Sequence, residues 1–345
     1  MTAIVTSLLG GGWALVAGWI LPTALNSLLF AFLVLPALRG VSGFHTVLTA
    51  SHPEQALALL VTAVVAGLML SALQTPLYRV LEGYNWPAGV RRRRIGVHQQ
   101  ARARLDTELR FAQLTRREQL GKLSPAQAAE LAALRAGDDP MAGPPRSAVD
   151  VSLLAERLRR YPVDPDQILP TRFGNAIRRF EEYGYDRYRL DTVTMWHALN
   201  GVSADQVRDE VDAGRASVDF FVCLIYGHVV VILAAIAALA VSPSGSLSVG
   251  PAVAIGAGVA ACFLWYWLAV RATDEWAAAV RGLVDLGRKP LADALGLDLP
   301  DTIAQEREMW TLVSRRTRRA YGDWAAGLDK FRARPGRRAG AAPVD

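Results

Sequence analysis

Four long apolar runs dominate this sequence, near residues 13–38, 56–77, 219–241 and 251–270. Each run is long enough to cross a bilayer as a helix, which takes about 20 mostly apolar residues. The chain also has 38 Lys and Arg among its 345 residues, and nearly all of them lie outside the runs. This segregation predicts an all-α, polytopic membrane protein with four transmembrane helices and a helical cytoplasmic domain between spans two and three.

The chain between Met1 and Arg39 leaves two arrangements open, because it contains no charged side chain. It is too long for one straight span and short for two. The triplet Gly10–Gly12 favours a short interfacial helix, a glycine turn and one tilted span from Trp13 to Leu38. Two spans are the alternative. A secretory signal peptide is not expected, since no positively charged segment precedes the apolar run.

The basic residues predict the orientation in the membrane. Residues 79–218 hold 23 Lys and Arg, residues 271–345 hold 14, and the one that remains is Arg39. The connections 40–55 and 242–249 contain none. Because cytoplasmic segments retain Lys and Arg, we predict a multi-pass protein of the inner (plasma) membrane whose N- and C-termini are both cytoplasmic.

Turn-forming and capping residues suggest how the chain is divided. Ser124, Asp150, Thr171 and Thr302 are predicted helix N-caps. The third span is predicted to continue from a capping box at Ser203 as one helix about 57 Å long. The predicted layout, in chain order, is a membrane hairpin (1–90), a cytoplasmic helical domain (91–202) with a flexible linker (137–147), a long helical hairpin (203–288), a cytoplasmic amphipathic helix (289–334) and a disordered tail (335–345).

Two polar side chains stand out within the predicted spans, His228 and Asn26. An ionisable group is costly inside a bilayer and usually faces the bundle interior or water. His228 is therefore either a neutral imidazole bonded to a neighbouring helix, or part of a permeation path or a pH-sensitive gate. Asn26 has the same two interpretations, with a hydrogen bond across helices as the simpler one.

The fourth span carries two rows of small residues at four-residue spacing. These rows are Ala252, Gly256 and Ala260, and, one face over, Ala254, Gly258 and Cys262. Such rows let helix backbones approach closely. Packing within one chain and packing between subunits explain them equally well, and the second explanation predicts a homo-oligomer.

Residues 169–191 are unusually dense in arginine and tyrosine. The candidates for binding lipid headgroups or a cytosolic protein partner are Arg172, Arg178, Arg179, Arg187, Arg189, Tyr183, Tyr185 and Tyr188. A solvated, salt-bridged face is the alternative, because nearby Asp and Glu residues nearly balance the arginines. Nucleic acid is not an expected partner, since the basic excess of residues 79–218 is small.

Two segments resemble a known group of proteins. TPLYRVLEGYNWP (75–87) and LPTRFGNAIRRFEEYGYDRYRLD (169–191) resemble a largely actinobacterial family of uncharacterised multi-span membrane proteins. The resemblance covers about a tenth of the chain. It implies a membrane location and supplies no functional residues. The layout of four spans with both ends inside is also similar, in topology only, to that of bestrophin-type anion channels.

The sequence contains no Walker loop, dinucleotide glycine fingerprint, HExxH motif or nucleophile elbow. We therefore expect no enzyme, no catalytic residue, no cofactor and no metal. The polar residues of the spans and the small-residue rows favour an oligomeric protein of the lipid bilayer, an ion channel or pore that its cytoplasmic domain gates or assembles. The alternative is a non-conducting scaffold that recruits a cytosolic partner or binds anionic lipid. A lipid-acting enzyme is the least favoured class.

Overall fold

The computed structural model describes residues 12–38, 51–136, 147–241, 249–320 and 322–333. These residues are almost entirely helical and contain no β-strand. The helices in chain order are α1 (Gly12–Leu38), α2 (His52–Ala72), α3 (Gln74–Glu82), α4 (Ala88–Gln119), α5 (Pro125–Ala136), α6 (Ala148–Leu158), α7 (Arg172–Glu181), α8 (Tyr183–Tyr188), α9 (Trp196–Val202), α10 (Asp205–Val241), α11 (Val249–Ala294) and α12 (Ile303–Arg318).

Four of these helices, α1, α2, α10 and α11, are long and apolar enough to cross a membrane. The prediction of an all-α protein with four apolar spans is therefore confirmed at this level. α10 has 37 residues and α11 has 46. At about 1.5 Å per residue they are about 55 and 69 Å long, so both exceed the hydrocarbon core of a bilayer, which is about 30 Å thick.

The chain divides into two compact units. The span unit comprises Met1–Tyr78 and Arg187–Asp345, and the inserted unit comprises Arg79–Asp186. The inserted unit both begins and ends earlier in the chain than the predicted cytoplasmic domain 91–202. Its end differs because Tyr188 and Asp191 bond to α11 and α12 of the span unit, through Asp285 and Arg318.

In the span unit, α10 and α11 form an antiparallel pair in which small residues permit close packing. A Cβ atom at Gly214 would lie 2.8 Å from Trp276 Cα, and one at Gly258 would lie 2.9 Å from Ile232 Cγ1. α1 packs against both helices through a cluster of buried apolar side chains, namely Val34, Leu38, Val231, Ala235, Ala238 and Ala254. Small residues at a helix–helix contact allow the two helix axes to lie close together.

The C-terminal part of the span unit differs from the single amphipathic helix predicted for 289–334. α12 begins directly after the predicted cap Thr302, whose hydroxyl accepts a hydrogen bond from Gln305 N. It ends at Arg318, and a 3₁₀ helix follows at Asp323–Phe331 after the extended Gly322. The chain turns back because Asp298 N donates to the Phe331 carbonyl at 2.8 Å.

The inserted unit is a set of helices folded against α4. Phe111 and Leu114 of α4 and Leu131 of α5 form a buried apolar cluster. Arg110 binds both carboxylate oxygens of Glu130 at 2.6 Å. Bidentate contacts of this kind fix the two helices in register.

The two segments that carry the family resemblance contact each other in the inserted unit. The Thr171 hydroxyl donates to the Glu82 carbonyl at 3.1 Å. A Cβ at Gly174 would lie 2.6 Å from that carbonyl oxygen, and one at Gly83, which has a φ of +88°, would lie 2.2 Å from Pro170 Cγ. A residue with a side chain at position 83 would therefore be strained by the positive φ and would also clash with Pro170.

Most predicted N-caps are confirmed, but the capping box predicted at Ser203 is wrong, because α10 begins at Asp205 and Ser203 Oγ donates to the Leu199 carbonyl. Ser124 forms a capping box with Gln127, and Thr171 accepts from Gly174 N at 2.9 Å. The predicted cap Asp150 is wrong by three residues: Ser147 is the N-cap of α6, and Asp150 completes its capping box. The reason is that a carboxylate at the third helical position reaches back to the cap's backbone N–H.

Several predictions lie outside the described residues. They are the interfacial helix before Trp13, most of the linker 137–147, and the tail 335–345.

Candidate functional site: a polar junction of three helices

Asp219 is a buried carboxylate in α10, with 5 % of its surface exposed. Tyr78 Oη donates to Asp219 Oδ1 at 2.6 Å, and Gln74 Nε2 donates to the same oxygen at 2.8 Å. Arg215 Nε lies 3.9 Å from Oδ2. Burying a carboxylate is costly unless donors surround it, and here most of the donors are neutral.

Helical spacing explains why these side chains meet. Gln74 and Tyr78 are four residues apart on α3, as are Arg215 and Asp219 on α10, so each pair shares one helix face. The guanidinium of Arg215 also donates to Gln74 Oε1 at 2.8 Å, which links the two pairs. We name this set of four residues the Asp219 junction.

α1 completes the junction from the other side. A Cβ at Gly18 would lie 3.0 Å from Asp219 Cβ, so the two backbones approach closely. The Trp19 side chain is a further hydrogen-bond donor to Asp219. The three helices α1, α3 and α10 are thus joined at one carboxylate.

Polar contacts continue along the interface of α1 and α10. Thr23 Oγ1 lies 3.3 Å from Cys223 Sγ. One turn further, a Cβ at Gly227 would lie 2.2 Å from Asn26 Nδ2. Positions Asp219, Cys223 and Gly227 are spaced by four residues, so they form one face of α10.

Asn26, one of the two polar residues predicted in the spans, lies on this interface. It is buried, and its Nδ2 donates to the Pro22 carbonyl at 2.9 Å. Its Oδ1 is buried and has no hydrogen-bond partner within the described part of the chain. A bond to its own helix is therefore the contact that the structure gives for Asn26.

His228, the other predicted residue, faces a different helix. Its Nδ1 lies 2.9 Å from the Leu224 carbonyl, one turn back in α10. Its ring meets the Trp265 ring of α11 edge-on, with 6.1 Å between centroids. The imidazole is buried, but its hydrogen bond is to its own helix, whereas the structural interpretation of His228 expected a bond to a neighbouring helix.

The two small-residue rows of α11 have different environments. Ala254 and Gly258 are buried against α10, and Cys262 Sγ lies 3.9 Å from the Ile225 carbonyl. The other row, Ala252, Gly256 and Ala260, is exposed. Nothing lies within 4 Å of a Cβ placed at Gly256.

The arginine- and tyrosine-rich segment is divided between the two units. Arg172, Arg178, Arg179, Tyr183 and Tyr185 belong to the inserted unit, and Arg187, Tyr188 and Arg189 belong to the span unit.

Within the inserted unit, two of these arginines form ion pairs with acidic neighbours. Arg178 pairs with Glu182 at 2.7 Å, and Arg179 pairs with Asp186 at 3.0 Å. Arg172 is exposed. The ion pairs of Arg178 and Arg179 fit the alternative interpretation of this segment, a solvated and salt-bridged face, better than a set of guanidinium groups available to bind lipid headgroups.

In the span unit, Tyr188 is part of a buried anchor. Its hydroxyl donates to Asp285 Oδ1 at 2.8 Å, and the Arg288 guanidinium lies 4.3 Å from its ring centroid. Arg288 in turn binds both oxygens of Glu306, at 2.8 and 2.7 Å. Tyr188 therefore fastens the segment to α11.

Two titratable groups of the inserted unit are strongly perturbed. Burial, together with the nearby charge of Glu181, raises the pKa of Glu82 to about 7. Burial, together with the positive charges of Arg94 and Arg172, lowers the pKa of His98 to about 4. The His98 Nδ1 lies 3.1 Å from Tyr161 Oη, so this imidazole is neutral at pH 7 and held by a hydroxyl.

The sequence interpretation missed the Asp219 junction. Asp219 lies at the first position of the predicted span 219–241. A carboxylate at that position suggests only that the span begins there. The sequence does contain one indication of the junction. Asp219 is a charged residue at the start of one predicted span, and the polar residue Gln74 lies near the end of another. Only the packing of α3 against α10 joins them.

In the described residues, no three His, Cys, Asp or Glu side chains are grouped closely enough to hold a metal ion.

In comparisons with known proteins, no protein family, curated protein or solved structure matches the chain.

Proposed function

We propose that the chain is an integral protein of the plasma membrane with four spans, both termini in the cytoplasm, and the inserted unit on the cytoplasmic side. The four apolar helices and the distribution of basic residues support this topology. Arg91, Arg92, Arg93 and Arg94 at the start of α4 are all exposed. Such a cluster close to a span is attracted to the anionic cytoplasmic leaflet.

Within this topology we propose a non-conducting scaffold, anchored by its spans, that presents helical cytoplasmic surfaces to a protein partner. The observation that carries the proposal is that Asn26, His228 and Asp219 are buried in contacts within one chain. The large exposed side chains of the spans are apolar, for example Leu57 of α2 and Phe263 of α11. An anchor needs such a lipid-facing surface, whereas a pore needs a polar face.

An oligomeric channel is the second candidate, and one observation favours it. The exposed row Ala252, Gly256 and Ala260 leaves α11 free to approach a second copy closely. In a ring of subunits, faces that are apolar in one chain would then meet at an axis.

Ion flux from liposomes containing the purified full-length protein separates the two candidates. The scaffold predicts no flux above that of empty liposomes, for wild type and for His228→Leu. Flux that depends on the protein and falls in His228→Leu would replace the scaffold with the channel.

Subunit count tests the second candidate independently, by native mass spectrometry from detergent and nanodiscs. The channel predicts a ring of several copies that Gly256→Leu disrupts. Gly258→Leu is the matched control: it adds the same side chain to the buried row, beside Ile232, and is expected to lower stability rather than to change assembly. A wild-type monomer would eliminate the channel.

Cysteine accessibility tests the topology in a variant whose own cysteines, Cys223 and Cys262, are replaced by Ala. A membrane-impermeant maleimide should label Ser152→Cys only in inside-out vesicles, and Ser244→Cys only in right-side-out vesicles. The reverse pattern would contradict the proposed orientation.

Photo-crosslinking in cells tests for a partner. A crosslinking residue at exposed Tyr185 or Val149 is expected to give one discrete protein adduct. At exposed Leu57 of the second span, the same residue is expected to give none. Equal adducts at all positions, or none at any, would contradict the scaffold.

A further inference from the structure

A cleft with a volume of about 680 Å³ lies between the first half of α1 and the first half of the α10 helix. Trp13 and Leu21 belong to its α1 wall, and Phe220 belongs to its α10 wall. Trp13 is 71 % exposed and Leu21 is 50 % exposed. The cleft therefore has an apolar lining that the rest of the described chain does not cover.

The other end of the cleft is acidic. Asp209 and Asp212 line it from α10, one turn apart on the same helix face. Both residues are exposed, and neither carboxylate has an ion pair or hydrogen bond within the described residues. This contrasts with two other carboxylates of α10: Asp205 pairs with Arg208, and Asp219 accepts bonds from the junction.

The nearby basic side chains of α10 have other partners. Arg208 is paired with Asp205, and Arg215 binds Gln74. The cleft thus has a net negative charge at one end and aromatic and aliphatic carbon at the other. From Asp209 to Phe220 the helix rises about 16 Å, at about 1.5 Å per residue.

We propose that this cleft binds an amphiphile whose headgroup carries an ammonium and whose tail is a long hydrocarbon chain. The ammonium lies between Asp209 and Asp212, and the chain lies along Leu21 and Phe220. Trp13 lines the same cleft, and an indole ring can contact an ammonium group through its face. The charge of the two carboxylates selects the head, and the length of the apolar wall fits the chain.

The position of the cleft rests on the proposed topology, which places the acidic end at the cytoplasmic surface and Phe220 at the level of the lipid. Two sources supply this chemistry. One is a membrane lipid whose headgroup carries a primary ammonium, such as phosphatidylethanolamine, and the other is a free lipophilic amine. Both meet the same two carboxylates.

The binding test uses the full-length protein in phosphatidylcholine nanodiscs, with dodecylammonium as the probe and dodecanol as its uncharged analogue. Wild type should bind dodecylammonium at least about tenfold more tightly than dodecanol, and added salt should weaken binding. The double variant Asp209→Asn, Asp212→Asn should lose this preference. Both residues are exposed and unpaired, so the variant is expected to fold as wild type does.

Glu210→Gln is the matched control. It removes the same charge from the same helix, but Glu210 does not line the cleft, and its hydrogen-bond partner Gln206 is neutral. Its affinity for dodecylammonium should equal that of wild type. A second variant, Ala17→Trp, fills the apolar wall and should abolish binding of the probe while both carboxylates remain. Unchanged affinity in the double variant, or equal affinity for dodecanol, would overturn the proposal.

Nanodiscs with phosphatidylethanolamine in place of phosphatidylcholine distinguish the sources. Competition with dodecylammonium assigns the cleft to the lipid, and unchanged probe affinity assigns it to a free amine. The flux and labelling assays fail or succeed independently of this test: flux would remove the scaffold without affecting the cleft, and loss of probe selectivity would remove the cleft without affecting the scaffold.

Discussion

Two buried carboxylates of the span unit, Asp219 and Glu306, are held in different ways. Glu306 of α12 is 2 % exposed and binds the Arg288 guanidinium with both oxygens, while Trp310 Nε1 donates to it at 3.1 Å. Asp219 is 5 % exposed and depends on the neutral donors Tyr78 and Gln74.

The difference shows how each region of the unit is fixed. At Glu306 an opposite charge compensates the carboxylate directly, so the pair acts as a rigid fastening between α11 and α12. At Asp219 compensation requires donors from several helices to arrive together. Removing one donor there weakens the junction, whereas removing Arg288 leaves a buried charge without a counter-ion.

The largest effect is expected for Glu306→Ala, because it leaves the half-buried Arg288 charge without its partner. We expect a loss of about 3–5 kcal/mol in the free energy of unfolding, measured in mixed micelles. Glu308→Ala is the control, since Glu308 pairs with Lys330 where both side chains are 52 % exposed. That pair is expected to contribute less than about 1 kcal/mol. Equal losses of stability in Glu306→Ala and Glu308→Ala would contradict the distinction between the buried and the exposed ion pair.

Asp219→Ala is expected to cost about 2–3 kcal/mol, because Tyr78 Oη and Gln74 Nε2 lose their acceptor in a buried site. Asp219→Asn keeps an acceptor oxygen and should retain part of this stability. A double-mutant cycle with Tyr78→Phe measures the coupling, which we expect at about 1 kcal/mol or more. A coupling of zero would mean that the junction does not hold α3 to α10.

A third carboxylate, Glu82, sharpens the comparison because a like charge lies near it. Its pKa is raised from 4.5 to about 7, so the folded unit keeps a proton that the unfolded chain releases. The stability from Glu82 is therefore full below about pH 4.5 and is lost as the pH rises to about 7. Glu82→Gln should remove this dependence and stabilise the protein by about 1–2 kcal/mol at pH 8.

Thermal unfolding between pH 4.5 and pH 8 checks this prediction. Glu118→Gln is the control, because Glu118 pairs with Arg135 at the surface, and the pairing lowers its pKa. An identical pH profile for Glu82→Gln and wild type would contradict the assigned role of Glu82.

The smallest effect is expected for Arg215→Gln. Arg215 Nε lies 3.9 Å from Asp219 Oδ2, and its side chain is 48 % exposed, so solvent screens the attraction. We expect a loss of less than about 1 kcal/mol. Arg288→Gln should cost several times more in the same assay. A loss at Arg215 that matches the loss at Arg288 would show that both carboxylates depend on ion pairing.

Much of the helical architecture follows from local sequence. The long apolar runs predict the four candidate spans, since length and hydropathy suffice for that inference. Caps such as Thr171 and Thr302 predict where helices begin, because a side-chain oxygen bonds the free N–H groups of the first turn. The extended Gly322 after α12 is a weaker signal, and there the sequence predicted a continuous helix.

The candidate site was less predictable. Polar residues at span ends are common, and nothing local distinguishes Asp219 from the unpaired Asp212 seven residues earlier. Similarly, the two small-residue rows of α11 are equivalent in sequence, yet Gly258 is buried against Ile232 and Gly256 is exposed. The arginine- and tyrosine-rich segment is continuous in sequence, and contacts with α11 and α12 assign its second half to another unit.

The sequence by itself determined the class of structure and the positions of its long helices, because hydrophobic length and capping act within one segment. Only the tertiary structure decided which helix faces meet, and so which carboxylate is fastened by Arg288, which depends on Tyr78 and Gln74, and which are left unpaired beside an apolar cleft. Those outcomes depend on long-range packing between segments more than a hundred residues apart, such as Tyr78 and Asp219, separated by 141 positions.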